Sequence, residues 1–279
     1  MDRKCEHVHL QRESEWQRQH AIIHSILQSG MKEYACNIPG IHRAFECEDR
    51  TLCCIDEGTP VGNMRSAGSG ILTAGDEREA FFAIHKAAGI EAVTSHTGCG
   101  AAALYRELQN ITDKTVDEVA IEHAKFVAET LGVRYAGHVE DLKRPSEFHN
   151  ARVVYVDGTG VFNPSCVEEL PQGFVVSRRY MRQEQTLSEV RLACKIAFGH
   201  HGFAERFSSE SPLLIITIGD PAETEFACEH LHDELLTLKE YFDQTEPENS
   251  VRIRFDQWEK QVYKRPVQIN LDYQDQQVV

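Results

Sequence analysis

Short apolar runs alternate with amphipathic segments along this chain, and this alternation restricts its fold more than any other feature. Leu213 to Ile218 is the strongest run, and Val153 to Val156, Thr51 to Ile55 and Ile90 to Thr94 are of similar length and character. Runs this short and this apolar are typical of strands that are buried on both faces. Because helical patterns separate the runs, we predict an α/β fold, with a mostly parallel β-sheet flanked by helices.

We predict three parts in the chain: an N-terminal helical segment over 1–37, a core over 38–165, and a C-terminal α/β extension over 166–279 that packs on the same body. Val251 to Phe255 is predicted as an edge strand, and we find no internal sequence repeat. Helices are predicted at Glu13 to Leu27, Ala101 to Leu108, Val116 to Leu131, Glu184 to Phe198 and Ala222 to about Phe242.

The composition narrows the class of partner and the compartment. The chain has 44 acidic against 29 basic residues and a formal net charge of −15, which argues against nucleic acid or an anionic membrane as its partner. We therefore expect a small-molecule substrate. No run approaches the roughly 20 apolar residues of a membrane span, and Met1 to Glu15 lacks the apolar part of a signal peptide, so we expect a cytoplasmic protein. Nine irregularly spaced cysteines fit reduced thiols better than a disulfide framework.

Residues that bind metal ions follow two of the predicted strands. Cys54 and Asp56 stand at the end of the first, and His96 and Cys99 follow the end of the second. Carboxyl ends of parallel strands meet at one edge of a sheet, so these side chains should lie close together. Two thiolates, an imidazole and a carboxylate are ligands that zinc prefers, and a catalytic zinc ion keeps one position open. The sequence therefore predicts a Zn²⁺ site with Cys54, Asp56, His96 and Cys99 as candidate ligands.

This constellation resembles the β-class carbonic anhydrases. Their zinc-binding pattern is Cys-x-Asp-x-Arg followed later by His-x-x-Cys, which matches Cys54-Ile55-Asp56 and His96-Thr97-Gly98-Cys99. Arg65-Ser66-Ala67-Gly68 is similar to the family's Arg-Asn-Ala-Gly segment, and Gly100 with Ala101 matches its small residues after the second cysteine. The resemblance extends over roughly Ile38 to Pro164.

The resemblance implies a function and a role for each matched residue. Cys54, His96 and Cys99 would hold zinc, and Asp56 would either contact the zinc-bound water or bind as a fourth ligand. Zinc hydroxide would attack carbon dioxide in a reversible hydration to bicarbonate, so the chain would be a zinc lyase of the carbonate dehydratase type. The resemblance further implies a homodimer.

One position departs from the family pattern in a way that bears on activity. The arginine that follows the aspartate by two residues in the family, and holds it away from zinc, is Gly58 in this chain. A third anionic ligand on the ion would close its open position. Because a guanidinium can hold a carboxylate through two parallel hydrogen bonds, we expect Arg65 to restrain Asp56 and to be a catalytic residue alongside it.

Two other functions remain open at this level. One is a related zinc hydrolase that acts on another small electrophile, such as a sulfur compound, with the C-terminal extension reshaping the pocket. The other is a non-catalytic zinc-binding protein in which Asp56 closes the site. The Ser66–Gly70 segment is rich in glycine but lacks the spacing and the lysine of a phosphate-binding loop, so we expect a structural turn beside the metal.

Overall fold

The computed structural model describes residues 3–60 and 62–260, with side chains from His7 onward. Its strands are β1 (Thr51–Cys53), β2 (Met64–Arg65), β3 (Ala92–His96), β4 (Arg134–Val139), β5 (Val153–Asp157), β6 (Gly173–Val176), β7 (Leu213–Gly219) and β8 (Ile253–Glu259). Its α-helices are α1 (Arg3–Ser29), α2 (Met31–Cys36), α3 (Gly75–Ala87), α4 (Gly100–Leu108), α5 (Val116–Leu131), α6 (Gln183–Phe198), α7 (Cys228–Thr245) and α8 (Pro247–Ser250).

These strands form two sheets of four, and every pairing within them is parallel. The first sheet has the order β2-β1-β3-β4 and the second the order β6-β5-β7-β8. Helices connect and cover the strands, as parallel pairing requires. The predicted α/β fold with a mostly parallel sheet flanked by helices is therefore confirmed.

The two sheets repeat one topology, although the sequence shows no repeat. In each sheet the first strand along the chain pairs with the second and the third, and the third pairs with the fourth. Residues 51–259 thus comprise a first half (51–139), a connection (140–152) and a second half (153–259). The change from one sheet to the other falls in the connection.

Main-chain hydrogen bonds join the two halves edge to edge. Val175 N–H donates to Ile55 O at 3.0 Å and Ser177 N–H donates to Arg65 O at 3.0 Å. In return, Arg65 N–H donates to the Ser177 hydroxyl at 2.9 Å. These contacts place the end of β6 beside the end of β1.

Helices cover both faces of the second sheet, and alternating strand residues explain the two layers. Val153 and Tyr155 of β5 pack toward the cluster that includes Ile23 and Ile26 of α1. Val154 packs on the opposite face in the cluster that also contains side chains of α6 and α7. β7 is buried along its whole length, which agrees with its continuous apolar sequence.

A third cluster fixes the first sheet against its own helices. Leu52 and Val93, from adjacent strands, belong to one apolar cluster with Phe81 of α3 and Val127 of α5. Helix α5 has a capping box at Thr115, which predetermines where it begins. Within the described residues, no helix has the length and apolar character needed to cross a membrane.

Candidate metal centre

The ends of β1 and β3 bring the predicted zinc ligands together. β1 and β3 are neighbours in register, with Leu52 opposite Val93, so their carboxyl ends lie at the same edge of the sheet. Cys54 directly follows β1, His96 is the last residue of β3, and Cys99 precedes the first turn of α4. All three side chains are buried.

Cys54, His96 and Cys99 form a cluster whose ligand atoms all lie within 4.8 Å of one another. The two sulfur atoms are 4.0 Å apart. Two thiolates bound to one tetrahedral zinc ion, each at about 2.3 Å, would lie about 3.8 Å apart. The spacing of the thiols therefore fits a shared metal ion with a shift of a few tenths of an ångström.

His96 presents its Nε2 nitrogen to this cluster. Its Nδ1 is 2.9 Å from the carbonyl oxygen of Thr97, which directs the Nδ1 proton to that oxygen and leaves Nε2 as the atom that a metal ion could bind. Nε2 is buried. The Cys54 thiolate favours a proton on Nε2, and a metal ion would displace that proton on binding. Asp117 of α5 supports the turn by accepting hydrogen bonds from the Thr97 hydroxyl and from Gly98 N–H.

The charge balance of the cluster also favours a cation. The hydrogen bond with Cys99 lowers the pKa of Cys54 well below its usual range, and His96 lowers it further. Burial lowers the pKa of His96, but the Cys54 thiolate outweighs this and raises it to about 9. Gly68 N–H donates to Cys54 Sγ at 3.2 Å, which stabilises the thiolate. The residues present therefore fit a soft divalent cation such as zinc.

The Ser66–Gly70 segment lies beside the cluster, where the sequence predicts a structural turn. Besides the contact of Gly68 with Cys54, this turn is anchored by Glu189 of α6. The Glu189 carboxyl group accepts from Ala67 N–H at 3.1 Å and contacts the Ser66 hydroxyl at 2.5 Å. Burial raises the pKa of Glu189 to about 7. Main-chain N–H groups of this turn thus donate hydrogen bonds to the Glu189 carboxyl group and to Cys54 Sγ.

Asp56 stands beside the three-residue cluster, and its carboxylate is held by Arg144. The Nε of Arg144 is 2.9 Å and 3.1 Å from the two carboxylate oxygens, and NH2 is 2.9 Å from Oδ2. Gly58 N–H donates to Oδ1 at 2.8 Å. Burial opposes ionisation of Asp56, but positive charge on His149, His96 and Arg144 outweighs it and holds the pKa well below its usual range. Asp56 is therefore an ionised carboxylate engaged away from the thiols.

The expected role of Arg65 requires a correction. Its guanidinium donates to Thr59 Oγ1 at 2.6 Å, to Thr59 O at 3.1 Å and to the main-chain oxygen of Asp56 at 3.4 Å. The side-chain carboxylate of Asp56 is bound by Arg144 instead. Arg65 lies near Asp56 in sequence, but its guanidinium is engaged by main-chain oxygens of the 54–59 loop and by the Thr59 hydroxyl. It fixes the loop that carries Asp56.

Gly58 explains how Arg144 reaches its position. A Cβ atom on Gly58 would lie 2.7 Å from Cγ of Arg144 and 3.0 Å from Cβ of Leu142. Any side chain at 58 would therefore push Arg144 off the carboxylate. Glycine at 58 thus leaves room for a guanidinium from the 140–152 connection to hold the Asp56 carboxylate.

His149 and Glu57 form a second polar pair next to Asp56. His149 Nδ1 is 3.0 Å from Glu57 Oε2 and 3.7 Å from Asp56 Oδ2. Glu57 also accepts from Asn150 N–H at 2.8 Å. Burial lowers the pKa of His149, but the Glu57 and Asp56 carboxylates outweigh this and raise it. Asp56, Glu57 and His149 form the other group of potential metal ligands among the described residues, but here the imidazole and Arg144 already balance the carboxylates.

A small cavity adjoins the cluster, and both halves of the chain line it. Its free space is about 10 Å³, which holds about one water-sized sphere. Apart from Cys54, Asp56 and His149, its walls are made of apolar side chains and glycine. These are Ile55, Ala67, Gly100 and Ala101 from the first half and Phe174, Leu192 and Ile196 from the second.

Sequence reasoning identified the three clustered residues but missed Arg144, Glu57 and His149. Arg144 and His149 lie in the 140–152 connection, which has no periodic pattern. The one signal was indirect, because the glycine at 58 indicated that a restraint on Asp56 had to come from elsewhere. Within the described part of the chain, the second sheet has no cluster of this kind where β5 and β7 end. Comparison of the chain with protein-family models, with curated proteins and with solved structures found no match.

Proposed function

We propose that this chain is a zinc-dependent, carbonic anhydrase-like enzyme that hydrates carbon dioxide reversibly to bicarbonate. Cys54, His96 and Cys99 would hold the ion. Three protein ligands with an open fourth position are typical of catalytic zinc sites, whereas structural sites are saturated by four. The observation that carries the proposal is the pairing of Asp56 with Arg144, because it keeps the Asp56 carboxylate from completing the coordination.

The ion and the protein side chains would have different roles in the reaction. Zinc bound by these residues would supply a Lewis acid that makes hydroxide available near neutral pH. Asp56, ionised and fixed by Arg144 and Gly58 N–H, would accept a hydrogen bond from the attacking oxygen and orient it. The pairing of Glu57 with His149 Nδ1 fixes the imidazole at the wall of the cavity.

The lining of the cavity suits the proposed substrate. Carbon dioxide is neutral, linear and apolar, and it enters apolar surroundings without the large desolvation cost that a charged substrate would bring. Ile55, Ala101 and Phe174 provide such surroundings next to Cys54.

A stopped-flow assay of carbon dioxide hydration by zinc-loaded protein tests the proposal. We expect turnover above the buffer rate, and we expect Cys99→Ser to abolish it while zinc content falls below one ion per chain. Cys166→Ser is the matched control, because Cys166 is an exposed free thiol that does not belong to the cluster. It should keep both turnover and zinc.

The outcomes separate this function from its rivals. Stoichiometric zinc without hydration at any pH would overturn the enzyme and leave a zinc-binding protein. Full zinc retention in Cys99→Ser would overturn the metal centre itself. If the protein does not hydrate carbon dioxide but hydrolyses carbonyl sulfide, its function is that of a related zinc hydrolase.

A further inference from the structure

A cavity of about 360 Å³ lies between α6 and α7, and it is distinct from the small cavity beside Cys54. Its size falls within the range of about 300–1,000 Å³ that is typical of small-molecule sites. None of Cys54, His96 and Cys99 lines it. The cavity is therefore a candidate binding site in its own right, and what it could bind depends on the groups that its walls present.

Two basic side chains of α6 line this cavity without a carboxylate partner. Arg191 and Lys195 are one helical turn apart and so project from the same face of the helix. Neither forms an ion pair among the described residues. The Arg191 guanidinium lies over the Tyr241 ring, 4.5 Å from its centre, and its Nε is buried without a hydrogen-bond acceptor. A buried donor without an acceptor is unfavourable, and an anionic ligand would remove this cost.

Three glutamates also line the cavity, but two of them already accept hydrogen bonds within the protein. Glu189 accepts from Ala67 N–H at 3.1 Å, and Glu246 accepts from the Asn249 side-chain amide at 2.7 Å. The third, Glu77, is exposed in the first turn of α3, where solvent screens its charge. The buried group that lacks a partner in the cavity is thus cationic, which favours an anion over an amine as the ligand.

Apolar side chains make up much of the remaining wall. Leu72, Leu104 and Leu192 provide aliphatic surface, and Tyr241 and Phe242 of α7 provide aromatic surface. An inorganic anion would leave this surface in contact with water, whereas an organic acid would cover it and gain from its burial. A carboxylate also matches a planar guanidinium, which can donate two parallel hydrogen bonds to it.

We propose that the cavity between α6 and α7 binds an organic monocarboxylate with an apolar body, such as an aryl-substituted acid. Arg191 and Lys195 hold the carboxylate, and the leucines and aromatic rings of the wall cover the body. Because the metal cluster contributes nothing to this wall, binding should not require zinc. The site is independent of the proposed hydration of carbon dioxide, and a protein without that activity would still have it.

Isothermal titration calorimetry of the full chain with cinnamate tests this site, with zinc-loaded and metal-free protein compared side by side. We expect the same affinity in both. Three related probes separate the contributions of the ligand: acetate lacks the apolar body, cinnamyl alcohol lacks the charge, and cinnamylamine reverses its sign. Each should bind at least about tenfold more weakly than cinnamate, because each loses either the charged hydrogen bonds or the burial of apolar surface.

Variants of the two basic residues show whether cinnamate occupies this cavity. Arg191→Gln should weaken cinnamate binding at least about tenfold. Lys195→Gln, at an exposed position, should also weaken it and provides an independent test if Arg191→Gln does not fold. Arg182→Gln is the matched control, because Arg182 is an exposed arginine just before α6 that does not line the cavity. It should bind cinnamate as the wild type does. Circular dichroism of each variant shows that its helices have formed.

Each outcome supports or overturns the site. Cinnamate affinity that is equal in the wild type, Arg191→Gln and Lys195→Gln would overturn it, as would the absence of any cinnamate binding. Binding by the zinc-loaded protein alone would place the carboxylate on the ion and overturn the site as well. Tighter binding of cinnamylamine than of cinnamate would overturn the carboxylate as the ligand, since the glutamates would then dominate. Weaker binding in both variants, with unchanged binding in Arg182→Gln and in the metal-free protein, would support the site.

Discussion

Removal of the Arg144 guanidinium should destabilise the protein strongly, because it leaves a buried carboxylate without its main partner. The side chains of Arg144 and Asp56 are only 4% and 2% exposed, so solvent screens their interaction little. Breaking a buried ion pair by removing one partner costs about 3–5 kcal/mol. Gly58 N–H and His149 still contact Asp56 in this variant. We therefore expect Arg144→Ala to lower the free energy of unfolding by about 3 kcal/mol, near the lower end of this range.

The measurement is equilibrium unfolding of the metal-free protein in urea at neutral pH. A loss of this size lowers the folding equilibrium constant by about two orders of magnitude. Arg179→Ala is the matched control, since Arg179 pairs with Glu223 at a partly exposed site, where such pairs contribute about 0–1 kcal/mol. Equal losses in Arg144→Ala and Arg179→Ala would refute the assignment of Arg144 as the essential partner of Asp56.

The dependence on pH provides a second check of the same prediction. The pKa of Asp56 is lower in the folded than in the unfolded protein, so the unfolded chain binds the extra proton. The stability from this group is therefore fully present above the unfolded value of about 3.9 and is lost as the pH falls through the folded pKa. The difference between wild type and Arg144→Ala should narrow in strong acid, as Asp56 takes up its proton.

Three further predictions concern neighbouring features. Gly58→Arg should destabilise the protein, because its side chain would displace Arg144, and the double variant Gly58→Arg/Arg144→Ala should recover part of the loss in the same unfolding assay. Glu189→Gln should be more stable than the wild type at pH 8 but not at pH 5. The raised pKa of Glu189, about 7, means that the folded wild type loses stability as the pH rises through this value. The control Glu184→Gln, at an exposed position, should not differ from the wild type in this way when melting is measured at both pH values. Thr115→Ala should lower the stability by about 1 kcal/mol in urea unfolding, because the capping box of α5 is lost; an unchanged midpoint would contradict this.

Local patterns were sufficient to predict most of the regular structure. The helix predicted at Val116 to Leu131 has these bounds in the structure, and Leu213 to Ile218 falls within β7. Three strands were missed for physical reasons, and one of them, β6, is a run of only four residues that begins with glycine. β2 has only two residues, and β4 is partly exposed and contains Gly137, so neither has the continuous apolar character of a buried strand. The helix predicted from Ala222 begins at Cys228, after a short 3₁₀ turn.

The metal cluster was predictable because its residues lie at or shortly after the ends of two strands that the apolar pattern indicates. The restraint on Asp56 was not predictable, because Arg144 lies 88 residues away and reaches the carboxylate only through the fold. Arg65 was the nearest candidate in sequence, and proximity along the chain misled the assignment. The contribution of α6 to the cavity depends on the contact between the halves, of which the sequence gives no sign.

The repeated strand order has a consequence for how the site responds to dilution. When a wall of a cavity comes from a separate subunit, its presence depends on protein concentration and on the dissociation constant of the assembly. Here Leu192 and the metal-binding residues belong to one covalent chain, so the wall is held at an effective concentration that dilution cannot change. The geometry around Cys54 should therefore be the same at nanomolar and at millimolar protein, and only global unfolding can open it.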